Sequence, residues 1–332
     1  MMIDWTSFSA RSLGGEAITR EEAHAVLALP DEQLPQALQA AYEVRKTHYG
    51  RRVKVCVLQN ARSGLCPEDC HYCSQSSVSK ATINKYRLLP VEQLVDGAQR
   101  AHEAKAKRYC MVTSGRGPTD ADIAHLCDSA RAIKQRYPLE LCVSIGLLSE
   151  VQARALKEAG IGWINHNLNT SERFHPEICT THTYQDRVNT VCNVKRAGLK
   201  TCSGGILGMG ETDTDIVDLA YALRELKVDS LPVNFLHPVP GTPLETLRFL
   251  TPMKCLKALC LFRFLNPASD IRAAGGRELN LRSLQTLALY PANSIFVEGY
   301  LTTPGQQPDE AKRMIEAMGF EVESVEALSE TC

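Results

Sequence analysis

The sequence has almost no net charge: 37 Lys and Arg stand against 38 Asp and Glu, a formal charge of -1. Without a basic excess there is no general field to attract phosphate polymers or anionic lipid. A nucleic-acid partner is therefore not expected. A long apolar leader is missing too, because residues 1–29 are interrupted by Asp4, Glu16, Glu21 and Glu22. That pattern fits neither a signal peptide, a transit peptide nor a membrane span, so a cytoplasmic protein with no membrane anchor is expected. No linker, low-complexity stretch or self-similar period divides the chain, which argues against separate domains and against a solenoid.

What is present fits one large globular unit. At 332 residues, with 44% hydrophobic and 23% charged residues, about three quarters of the unfolded surface can be buried. Thirteen cysteines are many for a reducing compartment, where disulfides are disfavoured, and an odd number cannot pair completely. Metal or sulfur chemistry is the leading explanation for them.

Short β-rich runs at residues 53–58, 108–113, 140–145, 162–168, 200–207, 229–236, 270–273 and 294–297 alternate with helical patterns. Leu94, Val95 and Ala98 recur at helical spacing, as do Ile123, Leu126 and Ala130, and Ile216, Leu219 and Leu223. This alternation predicts an α/β fold of the (β/α)8 TIM type, with a six-unit partial barrel as the nearest rival because the last two strands are short. Residues 1–50 form the expected N-terminal helical extension, with Leu27, Leu34 and Leu38 free to pack against the barrel. Residues 51–305 form the barrel, and residues 306–332 a C-terminal helix and tail lying on it.

The strongest local signal is Cys66-Pro67-Glu68-Asp69-Cys70-His71-Tyr72-Cys73, a C-x3-C-x2-C loop just after the first strand, at the mouth where barrel active sites sit. Three thiolates can hold three irons of a 4Fe-4S cluster and leave the fourth open to a small molecule. The alternative is a Cys3His zinc site using His71, cramped by the adjacency of His71 and Cys70. Further along, Cys110, Cys142, Cys202 and Arg272 fall in the second, third, fifth and seventh strands. Buried strand cysteines are usually small hydrophobes. An arginine pointing into a barrel, however, is costly unless paired with negative charge, which three thiolates around a second, deeper cluster would provide.

The triplet's spacing resembles the radical S-adenosylmethionine (SAM) superfamily. More specifically, Tyr109-Cys110-Met111, Cys142 to Gly146, Asn165 to Leu168, Cys202 to Gly205 and Gly275 to Glu278 are similar to biotin synthase segments over residues 53–304. The resemblance implies a 4Fe-4S cluster on Cys66, Cys70 and Cys73 with SAM on the open iron. It also implies a 2Fe-2S cluster on Cys110, Cys142, Cys202 and Arg272 whose bridging sulfide is donated to dethiobiotin.

SAM-side positions carried over by resemblance are Tyr72 and Ile206 beside adenine, Asn167, Asn169, and Arg187 near the methionine carboxylate. Asn234 and the Thr302-Thr303 pair match substrate-side positions. Tyr72 could equally be a packed tyrosine, Arg187 a solvated helix arginine, and Asn234 a local strand-end hydrogen bonder. The family commonly has Asp where this chain has Asn169, and an amide accepts from a ribose hydroxyl without the charge-assisted component. The glycines of Gly204-Gly205-Ile206-Leu207-Gly208 are expected to let the backbone approach SAM. Cys127 and Cys192 read as core, while Cys56, Cys179, Cys255, Cys260 and Cys332 have no evident partner. By resemblance, reduced flavodoxin or ferredoxin donates electrons, iron-sulfur assembly proteins rebuild the clusters, and the protein is a homodimer. The rival readings are another radical SAM enzyme, such as a maturase or lyase, and a non-catalytic iron-sulfur carrier or zinc module, which would commonly be smaller.

Overall fold

The computed structural model describes residues 3–324. Three helices come first, α1 (Trp5–Leu13), α2 (Arg20–Leu27) and α3 (Leu34–Tyr49). Local chemistry starts them: the Asp4 carboxylate accepts from the Thr6 and Ser7 amides, and Thr19 and Glu22 form a reciprocal capping box. Such caps contribute about 1 kcal/mol each.

The barrel follows as β1 (Arg52–Arg62), α4 (Val91–Glu103), β2 (Arg108–Thr113), α5 (Asp120–Lys134), β3 (Glu140–Ser144), α6 (Glu150–Glu158), β4 (Trp163–Asn165), α7 (His175–Ile178) and α8 (Tyr184–Arg196). It continues as β5 (Lys200–Cys202), β6 (Gly205–Leu207), α9 (Asp213–Glu225), β7 (Ser230–Phe235), α10 (Pro252–Leu265), β8 (Asp270–Ala273), α11 (Arg277–Leu281) and β9 (Ser294–Val297). The chain then forms α12 (Pro308–Ala317) and β10 (Glu321–Val322). Capping boxes at Thr119, Ser149, Thr183 and Thr212 start α5, α6, α8 and α9. Each βα crossover therefore carries its own helix-start signal.

All strand pairings are parallel, in the order β1-β2-β3-β4-β5-β7-β8-β9, and β9 pairs back onto β1 from Lys54↔Ser294 to Val57↔Val297. That pairing closes a (β/α)8 barrel and excludes the six-unit alternative. The fifth position is shared: the single strand expected over residues 200–207 is two, both paired to β7. Beside the start of β6, on the side away from β7, the Asn169 backbone forms a parallel bridge to Gly205, its N–H donating to Gly204 and its carbonyl accepting from Ile206. The expected strand over residues 162–168 is likewise shorter, because after Asn165 the chain turns toward this contact, with Asn169 in the left-handed region at φ 72°, which Asn tolerates. The short β10, pairing Arg52↔Glu321 and Val53↔Val322, had no periodic signal at two residues.

The period of two along each strand sorts the interior. Tyr109, Met111, Leu141, Val143 and Ile164 face outward into the main core under the helices, whereas Cys110, Cys142, Trp163 and Cys202 form a separate inner cluster. Outside, α10 is buried continuously from Cys255 to Leu265, since α1, α2 and α3 cover it. Leu27, Leu34 and Leu38 are buried there. At the other end α12 buries Ala311 and Ile315; the rest of the expected C-terminal tail, residues 325–332, lies outside the described residues. Among the described residues no helix is long and apolar enough to cross a membrane.

Candidate active site: two cysteine tiers in one barrel cavity

The C-terminal ends of the strands surround a cavity of about 390 Å³, a usual size for a small-molecule site. Cys66, Cys70 and Cys73 line its mouth on the irregular β1–α4 loop. Backbone bonds shape that loop, with Cys73 N–H donating to Cys70 O (3.1 Å) and Ser77 N–H to Glu68 O (2.8 Å). The Gln75 side chain holds the Gly64 amide at 2.8 Å. Burial pushes the Cys66 thiol up and that of Cys73 to about 11, while contact with the Cys179 thiol, then burial, raises Cys70. A cation bound there must displace these protons. Three thiols on one loop at an open mouth fit a cluster with three protein ligands.

Tyr72 continues the wall. The Asn169 amide is oriented with Oδ1 accepting from the Tyr72 hydroxyl (2.5 Å) and both terminal nitrogens of Arg187 (3.1 and 3.2 Å). Arg187 also donates to Asn167 O at 2.8 Å. It stands in the first turn of α8 but is buried, with Nε unpartnered, so the solvated-helix reading does not hold. An unsatisfied guanidinium edge in a pocket suits a carboxylate. Ile206 joins Tyr72 and Phe174 in an apolar patch over Ile178, Met209 and Leu236. Asn167 uses Oδ1 to accept from Gly204 N–H (3.1 Å). Asn234 lines the cavity, but its amide bridges Gly205 O and Gly275 N–H at 3.0 Å each, so it does act as a local strand-end bonder.

The expected reason for Gly204 and Gly205 changes. A Cβ at Gly204 would overlap Pro232 O, and one at Gly205 would overlap Leu219. Close approach of neighbouring protein atoms is reason enough for glycine at both positions.

Below, Cys110, Cys142, Cys202 and Arg272 line the same cavity at 5%, 2%, 2% and 2% exposure. Cys110 and Cys142 are directly paired across β2 and β3, and contact with Cys110, then burial, holds the Cys142 thiol well above its ordinary value. Arg272 Nη1 lies 3.7 Å from Cys202 Sγ, and its Nε donates to Ser294 Oγ at 3.0 Å. Asn165 Nδ2 approaches Cys202 Sγ at 3.2 Å.

The floor beneath was not foreseen from the sequence. Lys54, Arg108 and Arg272 converge on Asp270 Oδ2 at 3.4, 3.6 and 3.7 Å. Arg108 also pairs with Glu140 at 2.9 Å and lies 3.5 Å over the Trp163 ring. Three cations against two carboxylates leave one buried positive charge in excess under three thiols. That arrangement fits an anionic, thiolate-ligated group above it.

Replacing Asp270 with Asn would leave those cations without their shared carboxylate and should cost about 3 kcal/mol, read by denaturant unfolding of the cluster-free protein. Burial alone would raise the Asp270 carboxyl, but Lys54, Arg272 and Arg108 hold it down at about 2. Its contribution is therefore complete above the unfolded carboxyl's pKa of about 3.9 and lost as pH falls through about 2. The two proteins should converge in stability toward that pH; equal stability at neutral pH would contradict the assignment.

Cys192 is only half-buried at the edge of α8. Cys56 is buried 3.6 Å from Ser294 Oγ. Cys179, given no partner above, lies 3.7 Å from Cys70 Sγ, and the histidine beside the cysteine loop is His182, not His71. His166 also faces the cavity with Nε2 unpartnered, and burial, then Arg187, keeps it neutral.

A cysteine triplet at the mouth of a parallel barrel defines the radical SAM class, and residues 62–223 match the radical SAM superfamily. Residues 232–321 match the biotin and thiamin synthesis associated domain. The chain is 51% identical over 327 residues to the biotin synthase of Bacillus subtilis strain 168, covering 98% of each, and 52% identical to that of Geobacillus kaustophilus, covering 97% of each. It belongs to the biotin synthase family. Among solved structures, methylornithine synthase superposes with a TM-score of 0.83 at 20% identity, over 95% of this chain and 97% of that one. The FeFe-hydrogenase maturase HydG from Carboxydothermus hydrogenoformans gives 0.80 at 19%, over 96% and 78%. These two likenesses concern the fold alone. Family membership makes the protein a radical SAM enzyme of biotin synthesis, a class whose chemistry requires a 4Fe-4S cluster and SAM.

Proposed function

We propose that this chain inserts sulfur between C6 and C9 of dethiobiotin to form biotin, the sulfur coming from a 2Fe-2S cluster held by Cys110, Cys142, Cys202 and Arg272. The observation that carries the reading is the convergence of these four side chains in the cavity whose mouth holds Cys66, Cys70 and Cys73. When bound, the 4Fe-4S cluster supplies the electron that cleaves SAM to methionine and a 5′-deoxyadenosyl radical, and the 2Fe-2S cluster supplies the sulfur, two SAM being used per biotin.

The protein's part is placement and exclusion of water. Tyr72 and Ile206 offer apolar surface for adenine. Arg187 lines the cavity with its Nε unpartnered and is the residue placed for the methionine carboxylate. Asn169 ties Arg187 to Tyr72, so its role is to hold two binding residues in register, and the carbonyl used for this does not need the charge of Asp. Asn167 and Asn234 fix the strand ends on which SAM and dethiobiotin rest, and Thr302, bonded to Ser74 at 2.7 Å, closes the substrate side. In this reading residues 1–50 are a helical extension, residues 51–305 the catalytic barrel and residues 306–332 its C-terminal helix and tail. Reduced flavodoxin or ferredoxin is the electron donor, assembly proteins rebuild the clusters, and the enzyme works as a homodimer in the cytoplasm.

The test is anaerobic reconstitution with iron and sulfide, followed by assay with dethiobiotin, SAM and a reductant. Biotin is the expected product, and SAM cleavage indifferent to dethiobiotin would favour a different radical SAM reaction. Arg272→Ala should be milder than loss of a thiolate, keeping the 2Fe-2S absorption with a shifted potential, because three thiolates remain. Complete loss of that absorption would make Arg272 indispensable to the cluster.

A further inference from the structure

Cys70 belongs to a second constellation that the proposed reaction does not use. Its Sγ lies 3.7 Å from Cys179 Sγ, which in turn lies 3.4 and 3.7 Å from the two ring nitrogens of His182. All three ligand atoms fall within 4.8 Å of one another, and the three residues are 8%, 2% and 7% exposed. With Zn–S bonds of about 2.3 Å and Zn–N bonds of about 2.0 Å, a tetrahedral site needs about 3.8 Å between two sulfurs and about 3.5 Å between sulfur and nitrogen. The 3.7 Å between the two sulfurs matches the first edge, and the 3.7 Å from Cys179 Sγ to Nε2 is close to the second.

The surroundings match as well. Glu68 accepts from His182 Nδ1 through one carboxylate oxygen, which also takes the Thr181 hydroxyl at 2.7 Å; Arg116 holds the other at 3.3 Å. A carboxylate fixing one imidazole nitrogen so that the other faces a cation is the usual partner arrangement of zinc-binding histidines. Here Nδ1 stays with Glu68, and Nε2, 3.7 Å from Cys179 Sγ, is the nitrogen left for a cation.

We propose that, before its cluster is assembled, the protein binds a thiophilic divalent cation, Zn²⁺, at Cys70, Cys179 and His182, with the fourth position open. The competition with cluster assembly rests on the proposed role of Cys70 in the 4Fe-4S site; the cation site itself does not. Both sulfurs bind as thiolates: Cys179 already accepts from the Cys70 thiol, so the proton displaced is the one the pair shares, and no oxidation state changes. Because Cys70 cannot serve both groups, zinc holds the cysteine triplet incomplete until it leaves.

The test uses full-length, cluster-free, chelator-treated protein titrated with Co²⁺ as a spectroscopic probe and then with competing Zn²⁺. The unaltered chain should bind one Co²⁺ tightly, with charge-transfer intensity from two thiolates. Cys179→Ser and His182→Gln should each weaken it at least about tenfold, and Cys66→Ser should leave it unchanged. Added Zn²⁺ should slow 4Fe-4S assembly, followed by absorbance, at least about tenfold in the unaltered chain and little in Cys179→Ser. If Cys66→Ser weakens Co²⁺ binding while Cys179→Ser and His182→Gln do not, the cation sits on the triplet and the proposal is wrong. The cluster assignment fails separately, by Cys66→Ser assembling a normal 4Fe-4S cluster.

Discussion

Reconstituted Cys142→Ala protein should cleave SAM and make no detectable biotin. Cys142 is 2% exposed within β3, paired directly to Cys110, while the triplet proposed to hold the radical-generating cluster sits on a loop at the mouth of the same cavity. Removing one of three buried thiols from the lower tier takes away a proposed ligand that Arg272, already counted among the four, cannot replace. SAM cleavage should persist at a reduced rate, since it needs only the upper tier. Measuring 5′-deoxyadenosine and biotin in the same reaction checks this, and biotin at the normal yield would make Cys142 a core residue.

The second large effect runs the other way. Ala at Cys66, Cys70 or Cys73 should abolish both products together with the 4Fe-4S absorption, because two thiolates seldom retain such a cluster. Cys70→Ala is the most demanding case, since Cys179 lies close enough, at 3.7 Å, to be considered as a substitute. A Cys70→Ala protein that cleaves SAM at the usual rate would overturn the assignment of the triplet.

Much of this architecture is legible in the sequence because alternation of strand and helix is a local property. The eight barrel positions were placed, with β2, β8 and β9 bounded as expected, and strand parity carried Cys110, Cys142, Cys202 and Arg272 inward. The break between β5 and β6 was not legible: there the neighbour on one side changes from β4 to a bridge with Asn169, a contact with no period of its own. The ionic floor was hidden for a similar reason. Arg108 and Lys54 look like ordinary strand-end charges until barrel closure brings both to Asp270. Arg187 and Asn169 were found by resemblance, but their mutual hydrogen bonds, which explain why an amide serves there, required the folded geometry. Cys179 and His182 had the metal-ligand residue types; what was missing was the loop that carries Cys70 to them, 109 residues away in sequence.

The most direct test of the two-tier account follows the sulfur atom. The protein is reconstituted with isotopically heavy sulfide, cleared of free sulfide, and given dethiobiotin, SAM and reductant for a single turnover. The account predicts heavy biotin formed in step with loss of the 2Fe-2S absorption, and none from the Cys142→Ala protein. Light biotin, or heavy biotin formed while that absorption is unchanged, would contradict it.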